Sequence, residues 1–119
     1  MKLNRLDIVL VNLDPTVGSE IKKVRPCVIL SPNLINYHSK TVLIAAITHF
    51  DENKAVSPLF VPVLAMASTG LSKKSLVTLM QMRTIDKSRI VKILGKFPQQ
   101  SEMNLDYAIK LGTGLEKIE

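Results

Sequence analysis

The run Val11-Asn12-Leu13-Asp14-Pro15-Thr16-Val17-Gly18-Ser19-Glu20, followed at Val24-Arg25-Pro26 by a second apolar stretch, decides how this chain is read. An apolar run enters a turn-rich loop and leaves it into another apolar run. Pro15 and Gly18 punctuate the loop, because proline presets φ and glycine tolerates positive φ. Glu20 lies in the loop, and Arg25 stands where the chain re-enters apolar sequence. A polar loop held between two buried strands is a common place for a site. An ordinary hairpin connection has the same pattern, so the rest of the chain has to separate the two.

Working outward, apolar runs at residues 8–13, 26–30, 42–48, 59–63, 76–80 and 90–94 read as six strands with turn signals between them. Pro62 removes a ladder donor and marks the fourth run as an edge or a bulge. Short strands at this spacing predict a mainly β fold, a small antiparallel barrel or sandwich. The C-terminal segment differs. Ser101 is placed to cap a helix beginning at Glu102, and Leu105, Ala108, Ile109 and Leu115 fall near helical spacing. Gly112 and Gly114 weaken its last turn. Residues 32–36 suggest a short helical turn, and Arg83-Thr84-Ile85-Asp86 reads as a turn in which Asp86 caps the next segment.

A length of 119 residues fits one domain over 1–119, and 46% apolar residues argue against disorder. No Pro/Gly/Ser-rich linker, low-complexity tract or repeat interrupts it. No apolar run is long enough to cross a bilayer, and residues 8–11 are too short for a signal peptide. The expected location is the cytoplasm, with no membrane partner. The one cysteine, Cys27, sits in an apolar run and reads as a small core residue. His38 and His49 are the only histidines, and no cluster has zinc-site spacing, so neither metal nor other cofactor is expected. Sixteen Lys and Arg against ten acidic residues give a net charge of +6. That balance attracts nucleic acid or an acidic protein, or simply makes a basic surface.

The second and third runs suit antiparallel pairing. If Leu30 faces Leu43, then Val28 faces Ala45 and Arg25 faces Thr48, side by side at one end. The first loop, with Ser19, Glu20, Lys22 and Lys23, leads into Arg25 and lies over the same end. Glu20, Arg25, Thr48 and His49 then converge on one rim. This set has cations and a hydroxyl but no strong nucleophile. It suits a substrate that brings its own, as RNA does with its 2′-OH. Arg25 would grip a phosphate by its fork and stabilise developing charge, and Thr48 would donate to a non-bridging oxygen. Glu20 or His49 would move a proton; Arg25, always protonated, is a poor base. The plain readings stand beside these. Arg25 pairs with Glu20, Thr48 is an ordinary strand residue, strand alternation turns His49 away, and Lys22-Lys23 and Lys73-Lys74 are solvated charge.

At these residues the chain resembles the MazF/PemK-type toxins of bacterial type II toxin–antitoxin systems. The resemblance spans nearly the whole length. It runs through Asp7-Ile8-Val9, Leu13-Asp14-Pro15, Gly18-Ser19-Glu20, Val24-Arg25-Pro26, Ser31-Pro32, Ala45-Ala46-Ile47-Thr48 and Gln81-Met82-Arg83-Thr84-Ile85-Asp86-Lys87. Single pieces are weak, but their order and spacing together are specific. The resemblance implies a dimeric SH3-like barrel with a C-terminal helix. It implies a metal-independent endoribonuclease that cuts single-stranded RNA at short sequences, leaving a 2′,3′-cyclic phosphate and a 5′-hydroxyl. The family's catalytic arginine falls on Arg25 and its threonine on Thr48. Ser19 and Glu20 fall on the loop that shapes the RNA channel, where Lys22, Lys23, His49 and Gln81 are further expected RNA contacts. The implied partners are a second copy of the chain and an acidic, partly disordered antitoxin competing with RNA.

The chain departs from the pattern at Lys22-Lys23, often smaller or Gly-containing, and at Ser19, where some members carry histidine. Thr78 and Met80 stand where some members have an arginine and an acid, which shifts the load to Arg25 and Thr48. Two rivals remain. A protein-binding toxin of the gyrase-poisoning kind shares the barrel but lacks the Arg-Pro/Thr pair, and fold does not fix function. A non-catalytic RNA-binding barrel would want more exposed aromatics than Phe50, Phe60, Phe97, Tyr37 and Tyr107 supply.

Overall fold

The computed structural model describes residues 1–21 and 23–118. Strands β1 (Asp7–Asn12), β2 (Val24–Ile29), β3 (Thr41–His49), β4 (Phe60–Val63), β5 (Ser75–Asp86) and β6 (Ile90–Lys96) form one six-stranded sheet in the order β4-β5-β3-β2-β1-β6. Every pairing is antiparallel. The sheet is mainly antiparallel and barrel-like without closing on itself, and β4, which carries Pro62, is one of its edges as the missing donor requires. Helices α1 (Asn33–His38) and α2 (Glu52–Ala55) are short connections, and α3 (Glu102–Thr113) ends the fold.

Register follows from burial. Val28 pairs with Ala45 and Cys27 with Ala46, the pairing that the apolar pattern predicts from Leu30 opposite Leu43. Leu30 N–H indeed donates to Leu43 C=O at 2.8 Å. Because side chains alternate across a strand, the sheet carries an apolar set on each face. Ile8, Val28, Ala45, Val77 and Leu79 pack under Leu105 and Ala108 of α3. Val9, Val11, Cys27, Ile29, Ile44, Ala46 and Ile85 make the second core. Few polar groups are buried, and they are bonded. Asn36 Nδ2 donates to Ser31 C=O at 2.9 Å, and Asp7, 5% exposed, accepts from Asn4 N–H and lies 3.4 Å from Lys96 Nζ.

Two local readings of the sequence are corrected. Residues 83–86 are not a turn but the end of β5, which is twelve residues long. Their alternation continues the strand, with Ile85 buried opposite Val42. Asp86 still caps, accepting from Ser88 N–H at 2.8 Å at the start of a single 3-10 turn. Ser101 stands at the start of α3 but its side chain makes no capping bond, because Pro98 starts a 3-10 turn that leads into the helix. Gly114, at φ +81°, ends α3 in the left-handed conformation that suits glycine.

Candidate active site

The site grows out of a break in one ladder. β3 pairs with β5 from Thr41↔Asp86 to Ala45↔Met82, and again from Ile47↔Val77 to His49↔Ser75. Between them, one residue of β3 (Ala46) faces four of β5 (Thr78, Leu79, Met80 and Gln81). A bulge of this kind bends its strand and opens the sheet. A cleft of about 300 Å³ lies there, lined by Ala46, Met80, Gln81 and Arg83 and covered by Glu20 and Ile21 of the first loop.

A larger cleft, about 410 Å³, opens where β2 and β3 part. The β2–β3 ladder runs to Cys27↔Ala46. Continued by two residues, that register sets Arg25 opposite Thr48. Arg25 is half-buried and borders this cleft together with Pro26, His49 and Lys73. His49 lines this cleft too, yet alternation along β3 sets it on the face of Ile47 and the first core, whereas Arg25, opposite Val11 and two residues from Cys27, is on the face of the second core. Thr48 is half-buried, pairs with Leu76 and lines neither cleft. Glu20 and Gln81 share the smaller one. The four residues expected on one rim, Glu20, Arg25, Thr48 and His49, are therefore divided: alternation sets Arg25 and Thr48 on the second-core face, the face of the cleft that Glu20 covers, and His49 on the first-core face. The division follows from the alternation of side chains along β2 and β3.

The loop that carries Glu20 is closed at its base. Leu13 N–H donates to Lys23 C=O at 2.9 Å, and Lys23 N–H to the Asp14 carboxylate at 3.0 Å. The Asp14–Pro15 peptide is cis. Glu20 accepts from Val17 N–H at 2.6 Å, so this carboxylate first serves to shape its own turn. Ser19 and Lys23 are exposed on the same loop, while Lys22 lies outside the described residues.

Two arginines to which the sequence reading gave no role at the site brace this loop. Arg89 Nη1 donates to the carbonyls of Asn12, at 3.1 Å, and Asp14, at 2.6 Å. Arg83 Nη1 donates to the carbonyl between them, Leu13, at 2.9 Å. Arg83 had a signal in the sequence: it shares parity with buried Ile85, and a basic residue at an inward position of a strand calls for a partner. The electrostatics agree. Burial pushes the Cys27 thiol up to about 12, while Arg83 and, more weakly, Arg25 pull it back. Both guanidiniums therefore act on the same end of the second core.

Residues 4–112 match the family of PemK-like, MazF-like toxins of type II toxin–antitoxin systems. The chain belongs to this family. It is 35% identical over 117 residues to the endoribonuclease MazF of Staphylococcus epidermidis, covering 98% of this chain and 96% of that protein. Among solved structures, MazF of Deinococcus radiodurans superposes with a TM-score of 0.80 at 20% identity, covering 96% and 98% of the two chains. A mycobacterial endoribonuclease, solved in complex with its cognate antitoxin, gives 0.76 at 18% identity over 98% and 99%. The MazF-like architecture is the fold expected of this toxin, barrel-like sheet and terminal helix included.

Proposed function

We propose that this toxin cuts single-stranded RNA at short sequences without a metal ion, using the 2′-OH beside the scissile phosphate as nucleophile. As an endoribonuclease of the MazF-like family, it has RNA as its substrate class; the chemistry is read from its residues. The observation that carries the reading is Arg25, half-buried at the start of β2 and opposite Thr48 when the β2–β3 register is continued by two residues. Attack of the 2′ oxygen on phosphorus forms a 2′,3′-cyclic phosphate. The P–O5′ bond breaks and the 5′ oxygen leaves as a hydroxyl. Negative charge grows on the non-bridging oxygens in the transition state, where a fixed guanidinium fork is worth most. Thr48, one register step across the sheet, donates a second hydrogen bond to those oxygens. Glu20 or His49 moves the proton that the 2′-OH gives up. Ser19, Glu20, Lys22, Lys23 and Gln81 contact the RNA strand.

The active form is a homodimer of the single domain 1–119, and it acts in the cytoplasm. No helix of the described residues is long and apolar enough to cross a membrane. An acidic antitoxin segment neutralises the toxin by competing with RNA for the cations, a match for the net charge of +6. The test is incubation of the purified protein with a long RNA in EDTA. Cleavage at recurrent short sequences, with ends blocked to ligation until the cyclic phosphate is opened, supports the reading. Cleavage only after magnesium is added contradicts the metal-free mechanism, and binding without cleavage contradicts catalysis.

A further inference from the structure

We propose that Met80 is a base-contacting residue, its thioether lying in the smaller cleft against the face of the base of a nucleotide next to the scissile phosphate. This rests on the RNA-cleaving reading above and adds to it a residue that the reading leaves without a role.

Three observations place it. First, the cleft lies on the face of the proposed phosphate site. Alternation puts Arg25 and Thr48 on the face of Val11, Cys27 and Ala46, and Ala46 lines the cleft. Ala46 is the neighbour of Thr48 on that face of β3, about 7 Å away at two residues of strand rise. A nucleotide whose phosphate lies at Arg25 and Thr48 therefore has the cleft within reach of its base. Second, the bulge delivers Met80 to this face. Leu79 and Met82 both pack on the first core, and two residues stand between them where a regular strand has one. Both of those residues, Met80 and Gln81, line the cleft. Neither has a ladder partner, because the pairing with β3 skips from Val77 to Met82 and the pairing with β4 ends at Thr78. Third, the cleft is an apolar slot with one exposed lip. Leu13, Ile44 and Ala46 are buried beneath it, while Met80 is 66% exposed. A volume of about 300 Å³ has room for one base.

A lone apolar side chain on an open surface needs no account. This one edges a concave apolar floor, so a flat ring entering the slot covers both at once. A thioether is polarizable, gains from contact with an aromatic ring, and turns about three bonds to follow rings of different size. Every base offers a π-face, so the contact strengthens binding of any nucleotide and favours the larger purines. Sequence is fixed by hydrogen bonds to base edges, and Met80 supplies no donor for them.

The experiment is a cycle between protein and substrate, with wild type, Met80→Ala and Met80→Leu all in the full chain. Cleavage is first mapped on a long RNA. A short RNA spanning one mapped site is then made intact, and with an abasic ribose, which keeps its 2′-OH, at each nucleotide flanking the cut in turn. Expected is that Met80→Ala lowers kcat/KM on the intact RNA by about 5- to 10-fold. Met80→Leu, which keeps the apolar volume, should stay within about twofold of wild type. At one flanking position, the penalty for removing the base should shrink in Met80→Ala by the same about 5- to 10-fold, the non-additivity of two groups in contact. At the other positions both proteins should suffer the same penalty. Met80 is exposed, so the variants should melt with the wild type. Equal penalties in wild type and Met80→Ala at every position would overturn the contact and leave the RNA-cleaving reading standing. Failure of the wild type to cut any RNA would sink both. A Met80→Ala defect that disappears at high protein concentration, with sedimentation showing a weakened dimer, would assign Met80 to the contact between subunits and overturn the proposal.

Discussion

Arg83 crosses from β5 to donate, at 2.9 Å, to the backbone carbonyl of Leu13. The contact joins residues seventy apart in sequence, and it completes a brace in which Asn12, Leu13 and Asp14 each give a carbonyl to an arginine. At the end of β1 these carbonyls have left the ladder and need donors. Two guanidiniums supply them and, in doing so, set the angle at which the first loop leaves the sheet. The loop carrying Glu20 is thus positioned from β5 and from the turn after it, as well as by its own bonds.

Removing that brace should cost stability and loop order together. A charge-assisted bond of this type contributes on the order of 1.5–3 kcal/mol, so Arg83→Ala should lower unfolding free energy by about that much. Arg89→Ala, which loses two carbonyl contacts at a more exposed site, should cost about 1 kcal/mol. Hydrogen exchange should quicken at the amides of Leu13 and Lys23 in both variants. Unchanged exchange there would show that the loop base holds itself.

Arg25 should tolerate no cation but arginine. Lysine keeps the charge and loses the paired donors. If the fork is fitted to the transition state, Arg25→Lys should slow single-turnover cleavage by about 10² to 10³. RNA affinity should fall far less, since one phosphate contact is a small part of the electrostatic total. Thr48→Ala should slow cleavage more than binding, and Thr48→Ser should be milder because the hydroxyl stays. Wild-type cleavage by Arg25→Lys would make the fork unnecessary, and wild-type cleavage by Arg25→Ala would move the site elsewhere.

Much of this arrangement is legible in the sequence, and the limits are physical. Runs such as Val42 to Thr48 declare strands because both faces of this sheet are buried, so nearly every residue is apolar. The β2–β3 register followed from matching Leu30 to Leu43. The course of β5 was harder to see. Its second half, Met82 to Asp86, mixes polar and charged residues, because Arg83 is satisfied by a carbonyl from another strand rather than by its neighbours. A local reading finds turn formers there and misses the partner. The bulge at residues 78–81 is likewise silent in the sequence, since Thr78 and Leu79 are buried and look like an uninterrupted run. Alternation along β2 and β3, rather than this bulge, parts His49 from Arg25 and Thr48. Composition and motif order name these residues, and the distribution between two clefts comes from the ladder.

The buried thiol should make stability fall at high pH. Cys27 has its value raised by burial from 9.0 to about 12. Above pH 9 the unfolded chain releases this proton while the folded chain keeps it. The unfolded state then binds fewer protons, and stability declines as pH rises from about 9 towards 12. Below pH 9 both states are neutral and the group adds no slope. Cys27→Ala should therefore flatten the wild-type curve in that window. At a given pH below 9, a shift of this size leaves about a thousandfold less thiolate than in the unfolded chain. Alkylation should accordingly be slow until the protein is denatured. Equal alkylation rates in native and denatured protein, or identical slopes for the two chains, would contradict the burial of this group.

Two glycines with similar backbone angles should respond differently to the same substitution. Gly18 has φ +59° and Gly70 φ +71°, so alanine at either position pays the left-handed penalty of roughly 1–2 kcal/mol. At Gly18 nothing lies within 4 Å of the added Cβ, and the cost should stop there. At Gly70 the Cβ would meet Leu94 O at 2.1 Å and Leu94 C at 2.6 Å. Both are backbone atoms of β6 and cannot swing aside as a side-chain tip would. Overpacking against a fixed strand adds typically about 1–3 kcal/mol. Gly70→Ala should thus cost about 2–5 kcal/mol against about 1–2 for Gly18→Ala, read by urea unfolding of both variants. Equal stability losses in the two variants would show that the approach of Gly70 to Leu94 is not what holds this loop.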